Sequence, residues 1–173
     1  IDYVISPELE IAKSLQRKLE APGALYNVPF ADNKLRLLEI LIDEKCPIHQ
    51  IKLKELTNKF PNLNAYILGV IREESFKILK KDDKLQHNDK AYVIVNSNQM
   101  EETLKVFGHN EKISSKILII GGGNIGFNLA SNIEKNFEEA RVKIIEKDKN
   151  RAEHIANYLN DTIVINGNGL DED

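Results

Sequence analysis

Apolar residues follow two rhythms along this chain, and each rhythm predicts a different element. Ile117-Leu118-Ile119-Ile120, Val142-Lys143-Ile144-Ile145 and Thr162-Ile163-Val164-Ile165 are short, nearly unbroken apolar runs. Such runs read as strands of a parallel sheet covered on both faces. Between them the apolar positions space out at helical intervals. Ile125, Leu129, Ile133 and Phe137 form one stripe, and Ala152, Ile155, Ala156 and Leu159 form a second. Residues 116–173 are therefore expected to run strand, helix, strand, helix, strand, which is half of a doubly wound parallel sheet. The second half has no counterpart here.

The preceding stretch has a different pattern. Leu35–Ile42 is predicted as a strand and Leu53–Phe60 as a short helix stopped by Pro61. Ala65–Ile71 and Phe76–Leu79 read as strands joined by the turn Arg72-Glu73-Glu74-Ser75. Asn88-Asp89 turns the chain into a strand over Ala91–Val95, and Met100–Phe107 closes the module as a helix. This order predicts an α+β lobe with an antiparallel or mixed sheet and helices on one side. At the start, Ile1–Ile5 reads as a strand, Ser6 as an N-cap and Pro7 as the first helical residue. Leu9, Ala12, Leu15 and Leu19 stripe that helix, and Pro22-Gly23 ends it. One strand and one helix cannot bury that stripe, so they are expected to belong to a preceding domain or to a partner, and both chain ends read as cut. The stripe, left open, predicts self-association, most simply as a two-fold dimer.

The junction after Ile120 carries the chemistry. Gly121-x-Gly123-x-x-Gly126 follows the strand without a gap and opens the helix, the Rossmann arrangement for a dinucleotide. Gly121 suits the tight turn, Gly123 lets backbone approach a pyrophosphate, and Gly126 lets helix and strand pack closely. Gly122, Asn124 and Ile125 complete the turn, whose free amides and helix dipole favour an anion. Glu146 ends the next strand twenty positions after Gly126, where a carboxylate accepts the ribose hydroxyls and repels a 2′-phosphate. NAD or NADH is thereby favoured over NADP. Arg151 is placed either over the adenine by a cation–π contact or as a solvated helix residue.

Composition narrows the rest. The 173 residues are 42% hydrophobic and 29% charged with net charge −3, and the lysines are scattered, so nucleic acid is not an expected partner. The single cysteine, Cys46, excludes an internal disulfide framework and fits a reducing compartment. No apolar run reaches the roughly 20 residues of a membrane span. His49, His87, His109 and His154 have no metal-ligand spacing, so no metal site is expected. No Ser/His/Asp set, carboxylate pair or Tyr-Lys pair suggests a catalytic centre, and the acidic end Asp171-Glu172-Asp173 reads as a solvated terminus.

Several segments together carry a resemblance. Val4-Ile5-Ser6-Pro7-Glu8, Gly69-Val70-Ile71-Arg72, Asn88-Asp89-Lys90-Ala91-Tyr92-Val93-Ile94, Ile120–Gly126 and Ile145-Glu146-Lys147-Asp148 resemble, in this order, segments of the TrkA family of bacterial potassium uptake. Proteins of that family contain tandem RCK (regulator of potassium conductance) units, each a Rossmann lobe, a crossover helix and a small C-terminal lobe. The resemblance covers essentially the whole chain. It implies that residues 1–24 end one Rossmann lobe and its crossover helix, 25–110 form a C-terminal lobe, 111–115 a linker, and 116–173 the first half of a second Rossmann lobe. Gly167-Asn168 departs from the Gly-Asp pair frequent in the family, which removes a charge from that position.

The expected function follows from the resemblance: a cytoplasmic, non-enzymatic regulatory subunit, peripheral on the membrane through an integral potassium transporter. It would be a homo-oligomer, a dimer or tetrameric ring, gating transport through NAD or NADH. Two alternatives stay open at this point. One is a fragment of an NAD-dependent dehydrogenase, which shares the glycine turn but leaves the preceding α+β lobe unexplained. The other is a small-molecule sensor whose ligand occupies that lobe.

Overall fold

The computed structural model describes residues 5–171, and the chain divides into two compact units. One comprises residues 20–112; the other joins the N-terminal residues up to Leu19 with residues 113–173. Residues 1–4 of the expected first strand, and Glu172 and Asp173, lie outside the described residues.

The 20–112 unit is an antiparallel sheet with helices on one face. Its strands are β1 (Ala24–Phe30), β2 (Leu35–Leu41), β3 (Ala65–Arg72), β4 (Ser75–Lys77) and β5 (Lys90–Asn96), in the spatial order β1-β2-β5-β3-β4. Strand β1 is an element that the sequence pattern does not predict. Asn27 and Pro29 read as strand breakers, yet β1 lies at the sheet edge, where a proline is tolerated. It joins β2 through Ala31, Asp32 and Asn33, all at positive φ. Leu38, Ile40, Val70, Ala91, Val93 and Val95 pack with Leu104 and Phe107 in a single apolar cluster. Leu104 lies on helix α3 (Met100–Val106), while helix α2 (Leu53–Lys59) lends Leu53 and Leu56 to the rim of this core. The turn before β5 is pinned by Asp89, wholly buried, whose carboxylate takes two 2.7 Å hydrogen bonds from Arg72.

The second unit carries the parallel sheet: β6 (Lys116–Ile120), β7 (Arg141–Glu146) and β8 (Ile163–Asn166), adjacent in that order. The expected crossover helices are α4 (Asn124–Asn136) and α5 (Lys149–Ala156). Ile117, Ile119, Val142, Ile144 and Val164 pack with Leu129, Ile133 and Ile155 of these helices. The apolar runs predict cover on both faces of the sheet. Instead Leu118, Ile120, Ile163 and Ile165 stay exposed, because α4 and α5 pack into one common core and leave the other face open.

Helix α1 (Pro7–Glu20) departs from expectation in its partner. Ala12 is completely buried in the α4–β7 core, with Leu19 packed against it, so part of the stripe assigned to a preceding domain is covered within this unit. Leu9 and Leu15 remain exposed. Ser6 also acts differently from a simple cap: its hydroxyl donates to the Glu8 carboxylate at 3.0 Å.

Candidate nucleotide-binding site

The turn between β6 and α4 is built by three glycines with three separate reasons. Gly121 has φ +101°, which L side chains rarely adopt, and its amide donates to the Ile145 carbonyl at 2.8 Å. At Gly126 a Cβ would strike the Gly121 carbonyl and crowd Ile119, so its bare backbone lets α4 start tight against β6. Gly123 is the N-cap of α4, with an ordinary extended backbone (φ −62°, ψ −173°). A Cβ there would meet nothing within 4 Å, so the backbone borders open space. Asn124 is exposed and Ile125 half-buried in the first turn, whose amides have no acceptors within the helix. That first turn holds no acidic side chain to compete for an anion.

Gly122 has a role that the sequence does not reveal. It is buried and faces inward, where a Cβ would collide with Ile155 and approach Glu146. Its amide donates to Glu146 Oε2 at 2.6 Å. The Gly122 amide is therefore committed to the protein, which corrects the expectation that it is free to meet a phosphate.

Glu146 ends β7 at the mouth of this turn, only 9% exposed. Its Oε1 accepts the Asp148 amide at 2.8 Å. Hydrogen bonds from the Asp148 and Gly122 amides hold its carboxyl below the ordinary value of 4.5. Each oxygen accepts one backbone donor and has capacity for a second, such as a ribose hydroxyl.

Arg151 is not the solvated helix residue of one expectation. Its Nε donates to the Gly122 carbonyl at 2.8 Å, and its guanidinium carbon lies 5.9 Å from the centre of the Phe127 ring. Arg151 is thus part of the scaffold of the turn.

Other contributors give little or no signal in the sequence. Asp148 caps α5, accepting the Arg151 amide at 2.7 Å; an aspartate just before a helix is the available signal. Asn166 ties β8 to β7 by donating to the Glu146 carbonyl at 2.9 Å. Asn168, at the position of the family's Gly-Asp pair, donates to Asp171 at 2.8 Å. Elsewhere, Cys46 is buried, and burial pushes its thiol up. The 20–112 unit holds a cavity of about 340 Å³ lined by Leu53, Leu56, Phe60, Asn64, Ile67 and Phe107, among others. No helix among the described residues is long and apolar enough to cross a membrane.

Comparison with known proteins bears on both units. Residues 37–108 match the TrkA-C domain and residues 117–173 match the TrkA-N domain. The chain belongs to the TrkA family. It is 38% identical over 170 residues to the Trk system potassium uptake protein TrkA of Azorhizobium caulinodans, covering 98% of this chain and 37% of that protein. With the Trk system potassium uptake protein trkA homolog 1 of Methanosarcina mazei it shares 32% identity over 171 residues, 99% of this chain and 41% of that one. The chain therefore spans well under half the length of these relatives. Among solved structures, the GsuK RCK domain matches 96% of this chain and 34% of its own, with TM-score 0.50 and 18% identity. The GsuK channel bound to NAD matches 98% of this chain and 29% of its own, with TM-score 0.52 and 17% identity. Both likenesses concern fold. The glycine turn and Glu146 fall within the TrkA-N match, and the 340 Å³ cavity falls within the TrkA-C match.

Proposed function

We propose that this chain is part of a cytoplasmic regulatory subunit that docks on an integral membrane potassium transporter and controls transport by binding NAD or NADH. The observation that carries the reading is the turn itself: open backbone at Gly123, free first-turn amides on α4, and the Glu146 carboxylate at the end of β7. A pyrophosphate suits the first two, an adenosine ribose the third. The relatives' place in Trk potassium uptake supports the transport system, and the NAD bound to the similarly folded GsuK channel supports the ligand. Binding would favour one conformation of the assembled subunit, a dimer or tetrameric ring, and the shift would pass to the transporter. A tenfold shift needs about 1.4 kcal/mol of differential binding, within reach of one or two hydrogen bonds.

On this reading the nucleotide acts as an effector and is not consumed. The test uses the full-length protein with NADH, carbonyl substrates, and vesicles carrying the transporter. Potassium flux should respond to NADH while the NADH absorbance stays constant, and Gly123→Val should abolish the response in a folded protein. Substrate-dependent NADH oxidation that disappears in Gly123→Val would instead mark a dehydrogenase. A second reading, a small-molecule sensor, draws on the 340 Å³ cavity, whose size suits a compact ligand. Flux that ignores NADH but responds to an apolar ligand would favour that reading.

A further inference from the structure

On the nucleotide reading above, we infer that Arg151 is a positioning residue for the phosphate turn, setting the orientation of the peptide that links Gly122 to Gly123 and so keeping that site competent.

Three anchors fix the Arg151 residue. Its backbone amide is held by Asp148 at the start of α5. Its Nε donates to the Gly122 carbonyl at 2.8 Å, and its guanidinium lies 5.9 Å from the centre of the Phe127 ring. Phe127 is itself braced edge-on by Tyr158, with ring centres 6.5 Å apart. Arginine suits this position because its flat, permanently charged group can donate to a carbonyl while facing an aromatic ring.

The consequence comes from peptide geometry. In a trans peptide the carbonyl and the following N–H point in opposite directions. Arg151 draws the Gly122 carbonyl inward, so the Gly123 N–H is turned the other way, and the space beside Gly123 is open. On the other side of Gly122, Glu146 draws the Gly122 N–H inward at 2.6 Å. Gly122 is thus clamped at both its donor and its acceptor, by the two side chains flanking the β7–α5 connection. Without Arg151 the 122–123 peptide can rotate, because glycine on both sides imposes little barrier. A rotated peptide would present a carbonyl oxygen to the pyrophosphate in place of a donor.

The test compares full-length wild type with Arg151→Leu, and with Arg151→Lys, which keeps the stem and charge but lacks Nε. Binding of adenosine, ADP and NAD is measured alongside hydrogen–deuterium exchange of the segment 118–126 without ligand. Both variants should lose about tenfold affinity for ADP and NAD while adenosine changes less than about twofold. Exchange at the turn should quicken in the ligand-free variants, which loss of a direct Arg151–phosphate contact would not cause. Equal losses for adenosine and ADP, or an unchanged exchange rate, would overturn the inference while leaving the nucleotide reading intact. Failure of the wild type to bind ADP or NAD would overturn both. Should Arg151→Leu not fold, Arg151→Lys carries the same comparison.

Discussion

A carboxylate that accepts two backbone amides at once favours its own ionised form, and Glu146 is such a group. Its carboxyl is held below the ordinary 4.5 by the Asp148 and Gly122 amides. A folded-state pKa below the unfolded one stabilises the fold above the unfolded value, and this contribution is lost as pH falls through the folded value. Wild type should therefore exceed Glu146→Gln in stability most clearly above about pH 4.5, with the gap closing in more acid solution. Urea midpoints of both proteins across that range check the sign; a gap that widens on acidification would contradict the assignment. At this scale the residue types at the turn are legible because glycine spacing encodes steric demands directly. The pairing of Arg151 with Gly122 is not, since sequence places them 29 positions apart and only the β7–α5 return brings them together.

Elements meet through a second carboxylate. Glu134, on α4, accepts the amides of Asn160, Asp161 and Thr162, at 3.3, 2.9 and 2.6 Å, just before β8. Burial works against its charge, but the Thr162, Asp161 and Asn160 donors outweigh it and lower its pKa. Glu134→Ala should cost about 1 kcal/mol, the net loss of hydrogen bonds of which only the one from Thr162 is partly shielded from water, read as a lower urea midpoint. No change would mean that water replaces the carboxylate fully. Most elements are readable from apolar periodicity, as α4 and β5 illustrate. Strand β1 escapes because its signal is tertiary: Asn27 and Pro29 become acceptable only beside β2, whose register with β1 also shifts between Ala24 and Tyr26. The covering of α1 escapes for a similar reason: the stripe with Ala12 and Leu19 is legible, but its partners on α4 and β7 lie far along the chain and no local pattern names them.

At the scale of the whole molecule, the two units differ in how the chain supplies them. The 20–112 unit draws its core from one continuous segment, from Ala21 to Phe107. Expressed alone, it should unfold in one cooperative step, with circular dichroism and tyrosine fluorescence giving the same midpoint. Divergent midpoints would show that its core is incomplete. The nucleotide unit is discontinuous. Its core takes Ala12 from one end of the chain and Leu129, Ile144 and Ile155 from the other, so residues 113–173 alone lack a buried contact that the longer chain has.

That discontinuity acquires a time axis on the ribosome. Synthesis runs at about 5–20 residues per second, so helix α1 waits roughly 5–30 seconds before the strands and helices that bury Ala12 have emerged. Meanwhile the 20–112 segment is complete and free to fold. During that interval Ala12 and Leu19 lack the α4 and β7 residues that finally bury them, a natural window for a chaperone to bind.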